Sequence, residues 1–237
     1  MYFCTVEKSR IINAFVVLGT ILKELGENNS YSSKLAMLTE EEYAEVNEVI
    51  QREFHYNGWF TEDSIRQAFR EIAAWLTSEK LNEWTSRYSE NNDKKNVAVI
   101  MAGNIPLVGF HDFMCVLLSG HQVVCKQSSE DARLLPALVK LLLLFEPDLT
   151  ERIRFSDRKL VDYQAVIATG SNNSMLHFEQ YFSHVPHLFR GHCTSVAVLT
   201  GNESKEELHA LGTDCLTYFG RGCRNVTHLL FPEGFDL

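Results

Sequence analysis

The sequence predicts an α/β protein, a mostly parallel sheet covered by helices on both faces and preceded by a helical segment over residues 1–90. Three observations carry this. Short continuous apolar runs such as Val97-Ala98-Val99-Ile100-Met101, the kind a strand buried on both faces requires, alternate with stretches of helical periodicity. The polar run Ser89-Glu90-Asn91-Asn92-Asp93-Lys94-Lys95-Asn96 separates this alternation from the purely helical texture before it. Strands spaced by helices need crossover connections, which join parallel strands and are almost always right-handed.

In the N-terminal segment, Ile11, Phe15, Leu18, Leu22 and Leu25 recur at three-to-four spacing, which predicts a helix stopped by Gly26, Asn28 and Asn29. Thr39 and Glu42 have capping-box spacing and open a second helix running toward Phe54. After a turn at Asn57-Gly58, a third helix follows Thr61, with Ile65, Phe69, Ile72 and Leu76 on one stripe, continuing less regularly through Trp84 to Tyr88. Beyond the polar run, strands are expected at 97–101, 123–125, 165–168, 196–199 and 226–231, with helices at 107–118, 134–145, 174–182 and 205–218. Pro136 suits the start of the 134–145 helix, where a missing amide costs little.

Composition narrows the function classes. Of 237 residues, 22 are Lys or Arg and 31 are Asp or Glu, giving −9, which disfavours nucleic acid and anionic membrane surfaces as partners. The apolar stretches 11–25 and 134–145 are interrupted by charges or proline and fall short of the roughly 20 apolar residues of a spanning helix. No secretory signal is evident, so the cytoplasm is the expected compartment. The six cysteines, Cys4, Cys115, Cys125, Cys193, Cys215 and Cys223, contain no Cys-x-x-Cys pair and read as separate thiols. His184, His187, His192 and Cys193 fit no common zinc spacing, so a loop that contains histidines is preferred to a metal site.

In a doubly wound sheet, ligands bind at the carboxyl ends of the strands. Four small polar loops occupy such positions: Ala102-Gly103-Asn104-Ile105-Pro106, Lys126-Gln127-Ser128-Ser129-Glu130, Thr169-Gly170-Ser171-Asn172-Asn173-Ser174 and Thr200-Gly201-Asn202-Glu203-Ser204. Gly170 and Ser171 would let a pyrophosphate approach the amides of a helix start, although Gly, Asn and Ser serve any strand-to-helix turn. Lys126 suits a ribose phosphate or is a surface lysine at a strand end. No Gly-x-Gly-x-x-Gly or Walker lysine motif is present. Cys223, in Phe219-Gly220-Arg221-Gly222-Cys223-Arg224-Asn225, is either an acyl-accepting nucleophile favoured by two arginines or an inert loop thiol.

Taken together, five segments resemble the aldehyde dehydrogenase superfamily, and within it the LuxC-type acyl-CoA reductases. They are Asn57-Gly58-Trp59-Phe60-Thr61, the run from Met101 to Asp112, Val124-Cys125-Lys126-Gln127-Ser128-Ser129, the run from Ala168 to Ser174, and the run from Tyr218 to Val226. The resemblance implies an aldehyde dehydrogenase-like Rossmann-type sheet. It makes 91–218 the nucleotide-binding domain and 219–237 the start of a catalytic domain. It also implies Cys223 as acyl acceptor, Asn104 as oxyanion donor, Lys126, Ser128 and Ser129 at the adenosine ribose, and Gly170 with Ser171 at the pyrophosphate. The implied reaction reduces an acyl-CoA or acyl-protein thioester to an aldehyde through a cysteine-bound acyl group.

Ser129 stands where NAD-preferring relatives often carry a glutamate, so NADPH is the expected coenzyme. The deacylating glutamate of oxidative members would fall near Val198, where no carboxylate occurs, which favours reduction over hydrolysis. Relatives continue well beyond the cysteine, whereas this sequence stops at Leu237, so the resemblance implies a truncated reductase. A non-catalytic nucleotide-binding or assembly module of the same fold is the alternative, and a homo-oligomer is expected by analogy.

Overall fold

The computed structural model describes residues 6–27, 30–32, 35–88 and 93–234. The expectations for Cys4, for Asn28 and Asn29 as helix stops, and for Ser89 to Asn92 lie outside these residues. The helical segment comprises α1 (Lys8–Glu27), α2 (Glu40–Arg52), α3 (Glu62–Ala73) and α4 (Ser78–Ser86). The Thr39–Glu42 capping box forms in both directions, Thr39 Oγ1 accepting from Glu42 N and the Glu42 carboxylate accepting from Thr39 N. The third helix, expected to run on to Tyr88, is in fact two. Thr77 caps α4 by accepting from Lys80 N, so the chain turns over 74–77 and starts again.

The α/β part contains β1 (Asn96–Ile100), α5 (Phe110–Leu118), β2 (Gln122–Lys126), α6 (Leu134–Phe145), β3 (Ile153–Phe155), β4 (Ala165–Thr169), α7 (Asn172–Phe182), β5 (His187–Arg190), β6 (Ser195–Val198), α8 (Lys205–Leu216) and β7 (Val226–Leu230). Five strands form one parallel sheet in the order β3-β2-β1-β4-β5. Two strands escape sequence reading. β3 is three residues long, and β5 lies in the histidine-containing segment expected as a loop, where neither β-branched residues nor clear alternation announce a strand. The last two expected strands, β6 and β7, pair only with each other, in a separate parallel sheet.

Alternation across the main sheet explains its apolar runs. Val97, Val99, Val123 and Cys125 join a large core with α1, α3, α5 and α6, whereas Ala98, Val124, Val166 and Ala168 face the other way, toward Leu160, Phe178 and Phe182. Both faces are therefore buried, which is why these strands carry no polar alternation. The large core is continuous with the N-terminal helices: Phe15 of α1 meets Phe110 and Phe113 of α5 edge-on at 6.2 and 6.4 Å. The order β3-β2-β1-β4-β5 makes the chain leave β1 toward β2 and return to β4 on the opposite side, so the carboxyl ends of β1 and β4 flank a topological switch point.

Candidate active site

Three of the four loops singled out in the sequence lie at the carboxyl ends of β1, β2 and β4; the fourth follows β6 in the smaller sheet. The β1 and β2 loops touch. A Cβ on Gly103 would meet the Ser128 side chain at 2.7 Å, so this approach requires glycine. Beside Ser128, a groove of about 450 Å³ is lined by Lys126, Ser128, Ser129, Phe155 and Asp157. Lys126 Nζ donates to the Asp157 carbonyl at 2.7 Å, which orients the ammonium along the groove. Asp157 belongs to the post-β3 loop, a side of the groove that sequence reasoning missed because β3 itself was not recognised.

Gly170 sits against the first turn of α7, where a Cβ would meet the Ser174 side chain at 2.9 Å and Phe178 at 3.2 Å. Ser171 is the N-cap of α7, its Oγ accepting from Ser174 N at 3.3 Å. The helix start thus offers backbone amides beside a glycine, a geometry that suits an anion.

The segment bearing Cys223 is tied down at several points. Tyr218 and Phe219, at φ 53° and 58°, and Gly220, at φ 72°, are consecutive residues in left-handed conformation, and two of them have no glycine-like freedom. Each is anchored nearby. Tyr218 Oη hydrogen-bonds Glu71 of α3 at 3.1 Å, and burial followed by Glu71 holds its phenol above the ordinary range. Phe219 meets Trp59 edge-on at 5.5 Å. The Arg221 guanidinium lies 4.9 Å over the Trp59 ring and pairs with Glu130 at 3.4 Å. Asn225 Nδ2 donates to the Asp214 and Thr217 carbonyls at 2.8 and 3.0 Å, closing the loop from behind.

Asn104 and the cysteine loop are brought together directly: Asn104 Nδ2 donates to the Arg221 carbonyl at 2.7 Å. Cys223 is partly buried two residues further on. Arg221 does not stand as free positive charge beside the thiol, since Glu130 balances it; Arg224 is exposed. Trp59, Glu71 and Glu130 carried no readable role in the sequence, although Trp59 lies in the Asn57–Thr61 segment and Glu130 in the loop after β2. The Cys125 thiol, pushed up to about 12 by burial, is an inert contrast.

The other candidates fall elsewhere. His187 stacks on Phe189 at 4.2 Å along β5, His184 lies 6.2 Å from Tyr163, and His192 N donates to Asn172 Oδ1. Among the described residues no group of three His, Cys, Asp or Glu side chains is arranged to hold a metal. No described helix is long and apolar enough to cross a membrane. Val198 is exposed, and the carboxylate nearest in sequence, Glu203, accepts from the Thr200 and Gly201 amides and from Thr200 Oγ1. Those bonds, led by the Thr200 amide, lower its pKa.

A five-stranded parallel sheet with glycine-bearing loops at its switch point makes this a doubly wound α/β protein, and its fold is that of the aldehyde dehydrogenases. Solved structures agree. The chain superposes on a putative aldehyde dehydrogenase from Burkholderia cenocepacia with a TM-score of 0.60 at 11% identity, covering 95% of this chain and 53% of that one. An aldehyde dehydrogenase from Bacillus cereus, solved as its NAD+ complex, gives 0.60 at 13% identity over 97% and 53%. KauB from Pseudomonas aeruginosa gives 0.61 at 12% over 97% and 48%. At such identities the likeness concerns the fold alone, and the chain spans about half the length of these structures. The family description for acyl-CoA reductase (LuxC) matches residues 10–233, and the chain belongs to that family. No curated protein matches it.

Proposed function

We propose that this chain carries the coenzyme-binding half and the nucleophile of an NADPH-dependent reductase acting on an acyl-CoA or acyl-protein thioester. The observation that carries the reading is the Asn104–Arg221 hydrogen bond, which joins the cysteine loop to the β1 loop at the switch point of the sheet.

The Cys223 thiolate attacks the thioester carbonyl, the carbonyl electron pair moves onto oxygen, and collapse expels the coenzyme thiolate and leaves the acyl group on sulfur. Asn104 has two amide hydrogens. One is held by the Arg221 carbonyl, which fixes the plane of the amide, and the other donates to the oxyanion together with the Cys223 backbone N–H. Gly170, Ser171 and the amides of α7 would hold a pyrophosphate; Lys126, Ser128 and Ser129 would hold the adenosine ribose in the groove. Gly103 and Gly170 let the β1 loop close on Ser128 and the β4 loop close on Ser174, which gathers these serine-bearing loops at the strand ends where the coenzyme would lie. A reduced nicotinamide held there would supply a hydride to the carbonyl carbon of the Cys223-bound thioester; the resulting thiohemiacetal oxyanion, held by Asn104 and the Cys223 N–H, would collapse to aldehyde and return the Cys223 thiolate. The preference for NADPH rests on Lys126 in the groove, on Ser129 standing where a carboxylate would repel a ribose phosphate, and on the Glu130 carboxylate being turned to Arg221, against the single acidic residue of the lining, Asp157. Glu203, fixed in its own turn, offers no free base for activating water, which supports reduction over oxidative hydrolysis.

The test is covalent. Incubation with a long-chain acyl-CoA adds one acyl group, found by peptide mass spectrometry on Cys223, and Cys223→Ala abolishes it. Acylation that persists in Cys223→Ala refutes the assignment, and equal quenching titrations by NADH and NADPH refute the coenzyme preference.

A further inference from the structure

Behind the Asn104 loop lies a carboxylate that the proposed reaction does not use. Asp131, in the loop after β2, is 6% exposed. Its Oδ2 accepts the Leu107 N–H at 2.7 Å, and its Oδ1 is buried without a partner. Leu107 stands at φ 58°, a left-handed conformation that a leucine holds only when its surroundings over-determine it. Its amide lies between β1 and α5, belongs to neither, and has the Asp131 carboxylate as its acceptor.

Asp131 is itself held. Its N–H donates to the Ser128 carbonyl at 3.2 Å and its carbonyl accepts from Gln127 Nε2 at 3.2 Å, while Asn57 Nδ2 binds the neighbouring Glu130 carbonyl at 3.1 Å. Only Ile105 and Pro106 separate Leu107 from Asn104, and proline fixes its own φ, so a constraint on Leu107 reaches Asn104 through a short, stiff linker. Ile105 also lies 3.9 Å from the place a Cβ on Gly222 would take, so the linker touches the cysteine loop.

We propose that Asp131 is a positioning residue: through the Leu107 amide it sets the 104–107 loop and so places the free hydrogen of the Asn104 amide relative to the Cys223 thiol. The inference rests on the reading of Cys223 as acyl acceptor and Asn104 as oxyanion donor. The charged groups facing Asp131 are few. Glu53, buried in the turn after α2, repels its charge and is itself paired with Arg133 at 3.2 Å. Burial pushes the Asp131 carboxyl up to about 7, and either protonation state accepts the Leu107 N–H.

Two substitutions separate positioning from bulk. Asp131→Asn keeps an acceptor oxygen, and Asp131→Leu fills a similar volume without one. The full chain is compared by backbone hydrogen exchange and by the rate of Cys223 acylation at increasing acyl-CoA. In Asp131→Leu, exchange over 102–108 and 218–224 rises at least tenfold while α1 and α6 keep wild-type protection. Acylation at saturation falls at least tenfold with the half-saturating concentration unchanged, and Asp131→Asn restores both within threefold. Wild-type exchange over those segments in Asp131→Leu overturns the proposal. So does a loss of protection spread evenly into α1 and α6, or an unchanged acylation rate. If the wild-type chain is not acylated at Cys223, the catalytic reading fails, and the exchange comparison alone upholds or overturns the positioning of the 104–107 loop. Should Asp131→Leu not fold, Asp131→Ala is read in the same way; if neither folds, the carboxylate is merely structural and the proposal falls.

Discussion

Replacing Asp131 by Asn should change how stability depends on pH, by an amount that follows from burial. The carboxyl is raised from 3.8 to about 7, chiefly by desolvation, with Glu53 adding to the rise and the Leu107 amide opposing it. A folded-state pKa above the unfolded value means that the native chain holds its proton longer. The stabilisation is therefore complete below about 3.8, declines as pH rises toward 7, and is absent above it. The full gap corresponds to roughly 4 kcal/mol at about 1.36 kcal/mol per unit. Between pH 5 and 8 roughly 2–3 kcal/mol of it is expressed, because the unfolded carboxyl is already ionised at pH 5. Against a typical total of about 5–15 kcal/mol this is large enough to measure. Asparagine cannot ionise, so the stability of Asp131→Asn minus that of wild type rises by roughly 2–3 kcal/mol over this interval. The buried, unpaired Oδ1 becomes an amide nitrogen that also needs a partner, which adds a constant offset and leaves the slope intact. Urea unfolding of both proteins at half-unit steps from pH 5 to 8.5 measures the difference, and the common titration of other carboxylates cancels in it. A difference that stays flat to within about 0.5 kcal/mol refutes the claim that Asp131 is buried as a proton-holding acid.

Three further outcomes follow from single contacts. Gly170→Val places side-chain atoms where the first turn of α7 already stands, so NADPH binding by fluorescence titration weakens at least tenfold; unchanged binding would remove Gly170 from the coenzyme site. Arg221→Ala breaks the Glu130 pair and uncovers Trp59, so indole emission shifts to the red and iodoacetamide alkylation of Cys223 changes at least threefold. Because both contacts are partly exposed, the same variant should lose no more than about 1 kcal/mol of stability. Thr77→Ala removes the cap that starts α4 and costs about 1 kcal/mol in urea unfolding, whereas Thr77→Ser keeps the bond; equal stability of the two would show that the cap contributes nothing.

What the sequence revealed follows the physics of each element. Strands β1, β2 and β4 were readable because burial on both faces forces an unbroken apolar run. β3 and β5 were not, because edge strands of three and four residues take their identity from the neighbour they pair with, and that pairing is not local. The break between α3 and α4 was hidden because Leu76 and Trp84 continue the apolar count across a turn, and the count carries no information about the direction of the axis. Cys223, Asn104 and Gly170 were recognisable as types of residue in types of loop. Their assembly was not, since the bond that unites the first two runs to a backbone carbonyl, which no side-chain pattern encodes. The left-handed turn at Tyr218 and Phe219 is invisible for a related reason: aromatic residues do not advertise positive φ, and the anchors that hold them there, Glu71 and Trp59, lie in the helical segment.

The helices of the smaller layers make the same point from the opposite side. α7 and α8 have no fully buried residue, and Leu176, Tyr181, Leu208 and Leu216 are exposed; α7 meets a core only through the partly buried pair Phe178 and Phe182. Their starts are nevertheless sharp. Ser171 caps α7, and Ser204 with Glu207 forms a complete capping box on α8, satisfying amides that would otherwise be unpaired at the first turn. Caps are local, so they specify where a helix begins whether or not its face is covered. The same Ser171 that starts α7 also leaves the amides of its first turn beside Gly170, so the residue that makes the helix legible in sequence also builds the helix start at which the proposed coenzyme would place its pyrophosphate.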